Sequence, residues 1–231
     1  MNNLALSVAL ATAPASAFAE LRERPRFWFP LLLVVLTTAG LTYWYYAIVD
    51  IDWLKDLLLS NDANFQKGNE EQRAATLGMF DRKTMLWGSL VGTFVMLPVV
   101  FVLQALYLLL AAKVTNLSQG FKHWFALVSW TALPVLLTNL IAAIMLLMSD
   151  TSQIAPGALQ PLSLDELLFH MPPGSPGQTL IASLGIPAFL SWALAIIGVR
   201  EWSQRSWAFS AVVVLLPWVI IYGVWAYFSF K

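Results

Sequence analysis

This chain of 231 residues has no cysteine, little charge and no net charge. Without cysteine there are no disulfides, no thiolate metal sites and no thiol nucleophiles. Only 11% of the residues are charged, with 13 Lys and Arg balanced by 13 Asp and Glu. A soluble domain usually carries about 25%. With no basic excess there is no long-range field to draw in nucleic acid. There are two histidines, His123 and His170, and neither sits in an HExxH pattern. Gly88-Ser89-Leu90-Val91-Gly92 places its serine out of register for a nucleophile elbow. These absences argue against a hydrolase, a metalloenzyme or a cofactor enzyme, so the sequence is read as non-enzymatic and cofactor-free.

What is abundant is apolar surface. Hydrophobic residues make up 59% of the chain, and its mean hydropathy is +0.70. Five long stretches, 27–49, 84–112, 124–148, 178–199 and 207–230, contain no Asp, Glu, Lys or Arg. Each is long enough to cross a hydrocarbon core of about 30 Å, which needs roughly 20 helical residues. The expected fold is therefore all-α, a polytopic membrane bundle of five helices. Trp and Tyr cluster near the ends of the stretches (Trp28, Tyr43 to Tyr46, Trp87, Trp124, Trp207, Trp225 and Tyr227). That is where amphipathic rings meet the headgroups. No ionisable group at mid-stretch marks a proton or ion path.

Arg22, Arg24 and Arg26 precede the first stretch, and Lys55 is the only basic residue close behind it. Basic residues favour the cytoplasmic side. This places the N-terminus in the cytoplasm and, after five crossings, the C-terminus outside, which is the periplasm if the membrane is a bacterial inner membrane. Residues 1–26 then form a cytoplasmic amphipathic segment, with Pro14 opening a helix and Phe18 and Leu21 on one face. Ala17-Phe18-Ala19 resembles a signal-peptidase site, but the first basic residue, Arg22, comes after it rather than before. The segment is expected to stay attached.

The loops are 34, 11, 29 and 7 residues long, too short for a separate soluble domain. Loop 50–83 reads as two short helices. The first carries the apolar stripe Trp53, Leu54, Leu57 and Leu58, with Asp52 and Asp56 toward water. The second is capped by Asn69, with Gln72 at capping-box spacing. Loop 149–177 holds Pro156, Pro161, Pro172, Pro173 and Pro176 and is expected to be irregular, with one helical turn near Leu164–Phe169.

Inside the stretches, Gly88 and Gly92 form a GxxxG pair suited to close helix packing, within the chain or between copies. Gln104 and Asn139 are the strongest polar groups at depth and read as packing contacts. Pro98, Pro134, Pro187 and Pro217 lie within four of the five stretches and are expected to kink their helices. The basic cytoplasmic rim, Arg22, Arg24, Arg26, Lys113, Lys122, Arg200 and Arg205, is the candidate surface for a partner or for lipid headgroups.

Residues 11–33, ATAPASAFAELRERPRFWFPLLL, resemble the opening of the Yip (Ypt-interacting protein) domain family, bacterial branch. So do Gly120-Phe121-Lys122 leading to Ser129-Trp130-Thr131-Ala132-Leu133-Pro134, and Phe189-Leu190-Ser191-Trp192 leading to Ile196-Ile197-Gly198-Val199-Arg200. Ser206-Trp207-Ala208 and Leu216-Pro217-Trp218 complete the match. One departure is Ala112-Lys113-Val114-Thr115-Asn116, where the bacterial pattern often has glycines. The resemblance implies five helices and a cytoplasmic N-terminus. It also implies work as a partner-binding, assembly or accessory factor among membrane lipids and other membrane proteins, an ABC exporter with a periplasmic adaptor being one such partner. The alternative is a small-molecule or lipid transporter or channel, motivated by the prolines and by Gln104 and Asn139. Homo-oligomerisation stays open.

Overall fold

The computed structural model describes residues 1–60 and 63–230. Residues 61 and 62 of loop 50–83, and the C-terminal Lys231, lie outside the described residues. All the regular elements described are helical: α1 (Asn3–Thr12), α2 (Pro14–Glu23), α3 (Trp28–Ile48), α4 (Ile51–Ser60), α5 (Ala63–Lys67), α6 (Glu70–Met79), α7 (Arg82–Val91), α8 (Leu97–Val114), α9 (Phe121–Thr131), α10 (Val135–Leu147), α11 (Gln178–Ser183), α12 (Ile186–Ser203) and α13 (Trp207–Ser229). A π-helical turn, Gly92–Met96, joins α7 to α8.

Local chemistry sets many of these boundaries. The Asn2 side chain accepts from the Ala5 amide and opens α1, while Pro14 opens α2. The Asp50 carboxylate accepts from the amides of Asp52 and Trp53 at the start of α4. Asn69 and Gln72 form a reciprocal capping box on α6, each side chain bonded to the other's backbone N–H. Asp81 caps α7. These groups satisfy amides that a helix start leaves without partners.

Among the described residues, four helices are long and apolar enough to cross a membrane: Trp28–Ile48, Arg82–Val114, Phe121–Leu147 and Trp207–Ser229. In the last of these only 11% of the most apolar window is buried. A soluble protein would hide such a surface. Lipid is its natural solvent, and the chain is an all-helical membrane protein.

The stretch 178–199 departs from the expectation of one continuous helix. Leu184 is extended between α11 and α12, and Ser163 and Gly185 form an isolated antiparallel bridge. The Leu164 N–H donates to the Leu184 carbonyl at 2.7 Å, and the Ile186 N–H to the Leu162 carbonyl at 3.0 Å. Gly185 makes this approach possible, because a Cβ there would lie 2.4 Å from the Leu162 carbonyl oxygen. An apolar run reports apolar surroundings rather than an unbroken helix, and here backbone pairing with loop 149–177 takes two residues out of the helix.

Three of the four prolines lie outside helix interiors, contrary to the expected mid-helix kinks. Pro98 lies in the first turn of α8, directly after the π-helical turn. Pro134 ends a non-helical turn, 132–134, between α9 and α10. Pro187 lies in the first turn of α12, where its missing N–H costs little. Only Pro217 is inside a regular α-helix, α13.

The described chain divides into two compact units. Unit 1 comprises Met1–Val35, Met96–Val135 and Pro187–Val224, and the described part of unit 2 comprises residues 36–60, 63–95, 136–186 and 225–230. Unit 1 is built on a cluster that includes Leu6, Leu10, Phe18, Leu21, Phe101, Leu108, Trp124, Leu127, Trp130, Val199 and Trp202. Unit 2 has a smaller cluster of Leu41, Tyr45, Val49, Leu54, Ala142, Leu146 and Ile154. In its loops, α4 buries Leu54 and Leu59 and leaves Asp52 and Asp56 exposed. The 149–177 segment holds a 3₁₀ turn at Pro156–Leu159 and a π-helical turn at Asp165–Phe169.

Candidate functional site

All seven residues of the basic rim belong to unit 1. Against them stand only Glu20, Glu23 and Glu201, which leaves the side chains of this unit at a formal +4. The described side chains of unit 2 sum to −4.

Arg22 and Arg24 of the rim are positioned by the hairpin α1–α2, which turns at Ala13. Ala17, Phe18 and Leu21 are buried, so Arg22 at the next position is directed outward and is exposed. Phe18 packs edge-on to Trp202, with ring centroids 6.5 Å apart. The indole N–H of Trp202 donates to the Phe18 carbonyl at 2.7 Å. Trp124 lies 5.2 Å from the same indole, and His123 meets it edge-on at 6.1 Å. His123 Nε2 lies 3.2 Å from the Arg22 carbonyl. Just before α3, the Trp130 indole donates to the Arg26 carbonyl at 2.6 Å. Three aromatic rings on α9 and α12 thus grip the backbone from Phe18 to Arg26 and set where its arginines emerge.

Gly198 completes the seat. A Cβ there would fall 2.8 Å from Leu127 Cδ1 and 3.1 Å from the Phe18 ring. The absence of a side chain admits Phe18 against α12.

The rim residues divide into two groups. Arg26, Arg200 and Arg205 have structural partners. Arg26 pairs with Glu20 at 2.7 Å. Arg200 stacks over Trp207 at 4.2 Å. Arg205 donates to the Thr115 carbonyl at 2.7 Å, satisfying the C-cap of α8, and stacks over Phe209 at 4.7 Å. The other four, Arg22, Arg24, Lys113 and Lys122, are exposed and form no ion pair among the described residues. Glu20 also accepts from the N-terminal ammonium at 2.9 Å. That hydrogen bond, with the charges of the terminus, Arg26 and Arg24, holds its carboxyl below the usual carboxylate value. Glu20 is thereby committed, and the four free cations remain a surface that attracts anions.

The packing residues are found elsewhere. Asn139 Nδ2 donates to the hydroxyls of Thr37 and Thr38 at 3.1 and 3.0 Å, joining α10 to α3. Gln104 is half-buried on α8 and makes no side-chain hydrogen bond among the described residues. At Gly88 and Gly92 an added Cβ would meet nothing within 4 Å, so the GxxxG pair carries no close approach among the described residues. No group of three or more His, Cys, Asp or Glu side chains is arranged to hold a metal among the described residues.

Sequence reasoning missed Trp202, Gly198 and Asp165. Trp202 had a signal, since it is an isolated aromatic after Arg200-Glu201, beyond the apolar run. Asp165 is an acid only 3% exposed, which accepts from the Met171 amide at 2.9 Å and from Gln178 Nε2 at 2.7 Å. Nothing in the sequence distinguished it from Glu166.

The family model of the Yip1 domain matches residues 8–228. No curated protein and no solved structure matches the chain.

Proposed function

Because this chain belongs to the Yip1 domain family, we propose that it is a non-enzymatic membrane factor that binds and helps assemble another membrane protein through the basic surface of unit 1. The observation that carries this reading is the separation within the rim. Three of its seven cations are spent on structure, and four form no ion pair among the described residues: Arg22 and Arg24 on or beside a hairpin that large aromatic residues hold in place, Lys113 on α8 and Lys122 on α9. Such a surface suits a partner or headgroup with complementary negative charge.

The proposed topology is five crossings, with the N-terminus in the cytoplasm of a bacterium and the C-terminus in the periplasm. The five long stretches without Asp, Glu, Lys or Arg support this count. α12 is then the shortest crossing, its uncharged residues 186–199 spanning about 21 Å. An ABC exporter that works with a periplasmic adaptor is the partner class this reading favours.

The test is purification of the tagged protein in mild detergent, with mass spectrometry of what accompanies it. A stoichiometric membrane protein that is lost from the Arg24→Glu/Lys122→Glu variant is the expected result. Recovery of this chain alone, with saturable solute transport in liposomes, would overturn the proposal. Orientation has its own check in the cysteine-free background. Lys67→Cys should react with an impermeant maleimide from outside the cell, and Lys122→Cys should not.

A further inference from the structure

The N-terminal helix α1 presents a face that the preceding reading does not use. Its ten residues, Asn3–Thr12, contain no charged side chain. One side is anchored, with Leu6 and Leu10 buried in the hydrophobic cluster of unit 1. The opposite side is apolar as well. Leu4 is 70% exposed and Val8 63%, and Ala11 follows them outward at helical spacing. A helix that packs on protein with one side and faces water with the other carries polar residues outward.

The hydroxyls of α1 do not compensate. Ser7 Oγ donates to the Asn3 carbonyl at 3.0 Å, and Thr12 Oγ1 to the Val8 carbonyl at 2.9 Å. Both are turned back onto the helix's own backbone. The charges of the hairpin, Glu20, Arg22 and Glu23, are confined to α2, with Arg24 just beyond it. α1 is about 15 Å long, half of what a crossing requires.

We propose that α1 lies in the plane of the membrane, with Leu4, Val8 and Ala11 seated at the boundary between headgroups and acyl chains of an anionic bilayer. The charge of unit 1 fits that occupant, because Arg22, Arg24, Lys113 and Lys122 are exposed cations without an ion pair, and phosphate headgroups supply the opposite sign. α1 would then be the apolar half of a membrane-surface device whose basic half is the rim. This claim does not depend on a protein partner.

The absence of cysteine makes the test direct. Leu4→Cys, Val8→Cys and Glu23→Cys are each labelled with the environment-sensitive fluorophore NBD and reconstituted in vesicles of phosphatidylcholine and phosphatidylglycerol. Labels at 4 and 8 should emit to the blue of the label at 23 and lose about half their intensity to lipids bearing a nitroxide near the glycerol end of the chain. The label at 23 should respond to aqueous iodide instead. Aqueous emission from both 4 and 8 would overturn the proposal. So would blue-shifted emission that nitroxide lipids leave untouched, since protein would then cover the face. Both positions are exposed, so the substitutions leave Leu6 and Leu10 seated, and Ala11→Cys gives an independent third site.

Discussion

Unit 1 and unit 2 solve the same problem with different materials. Unit 1 seats large side chains against one another and spends its indole donors on backbone carbonyls: Trp130 on Arg26 and Trp202 on Phe18. Unit 2 has a smaller apolar cluster and relies on polar contacts. Tyr45 bonds the Ile154 carbonyl at 2.9 Å, Arg82 bonds the carbonyls of Tyr46 and Val49, Asn139 bonds Thr37 and Thr38, and Asp165 bonds Gln178. Volume therefore decides stability in unit 1, while in unit 2 it is distributed over hydrogen bonds of modest individual worth. Unit 1 keeps a surplus of cations outward because only three of its seven, Arg26, Arg200 and Arg205, are taken up by structural contacts. The Arg82 guanidinium of unit 2, at the start of α7, is spent on the Tyr46 and Val49 carbonyls at the end of α3.

The largest effect should follow from emptying the aromatic seat. Phe18→Ala removes a fully buried ring in contact with Trp202 and should cost about 3 to 5 kcal/mol, the usual range for a buried aromatic truncated to alanine. Thermal unfolding in detergent should show the loss. Limited proteolysis should then cut between α2 and α3 in the variant and not in the parent chain. A loss no larger than that of a single hydrogen bond would break the contrast between the units.

Much of this arrangement could be read from the sequence, and the parts that could not share a cause. Apolar runs without charge identify membrane helices because each residue reports its solvent independently of its neighbours. The capping box at Asn69 and Gln72 was legible for a related reason, since all its atoms lie within four residues. The break at Leu184 was not legible, because its hydrogen bonds come from Leu162 and Leu164, some twenty residues away. Gly198 looked like one more small residue in a helix. Its meaning depends on Phe18, which is distant in sequence. The sequence supplies the seven basic residues one by one, but their division into those with and without structural partners depends on Trp207, Phe209, Glu20 and Thr115, and only the fold brings these to them.

A smaller effect is expected at Asn139. Asn139→Ala removes both bonds to the α3 threonines, and an interhelical hydrogen bond in a membrane averages about 0.6 kcal/mol and reaches about 1.7. The threonine hydroxyls can turn back to their own helix, which limits the cost. The thermal midpoint should fall by much less than in Phe18→Ala. A comparable fall would mean that unit 2 depends on this one contact, and the picture of distributed polar support would fail.

The smallest effect concerns acid, and it separates the units by chemistry rather than by size. Asp81 caps α7, accepting from the Thr84 hydroxyl and from the amides of Lys83 and Thr84 at 2.9 and 3.1 Å. The Thr84 hydrogen bond, followed by those of the two amides, holds the carboxyl below its ordinary value of 3.8. A lowered folded-state value means that the cap stabilises the helix start above the ordinary value and is lost as pH falls through the folded one. The indole-to-carbonyl bonds that grip the unit 1 hairpin have no proton to gain over this range. Hydrogen exchange, corrected for its intrinsic pH dependence, should therefore accelerate at the start of α7 as pH is lowered below the ordinary carboxylate value of 3.8 while the α9 amides stay protected. Asp81→Asn keeps a side-chain oxygen that can accept but cannot titrate, so it should remove the pH response without exposing α7 at neutral pH. If exchange in the variant still rose with acid, the titrating group would lie elsewhere, and the polar support of unit 2 would owe nothing to this carboxylate.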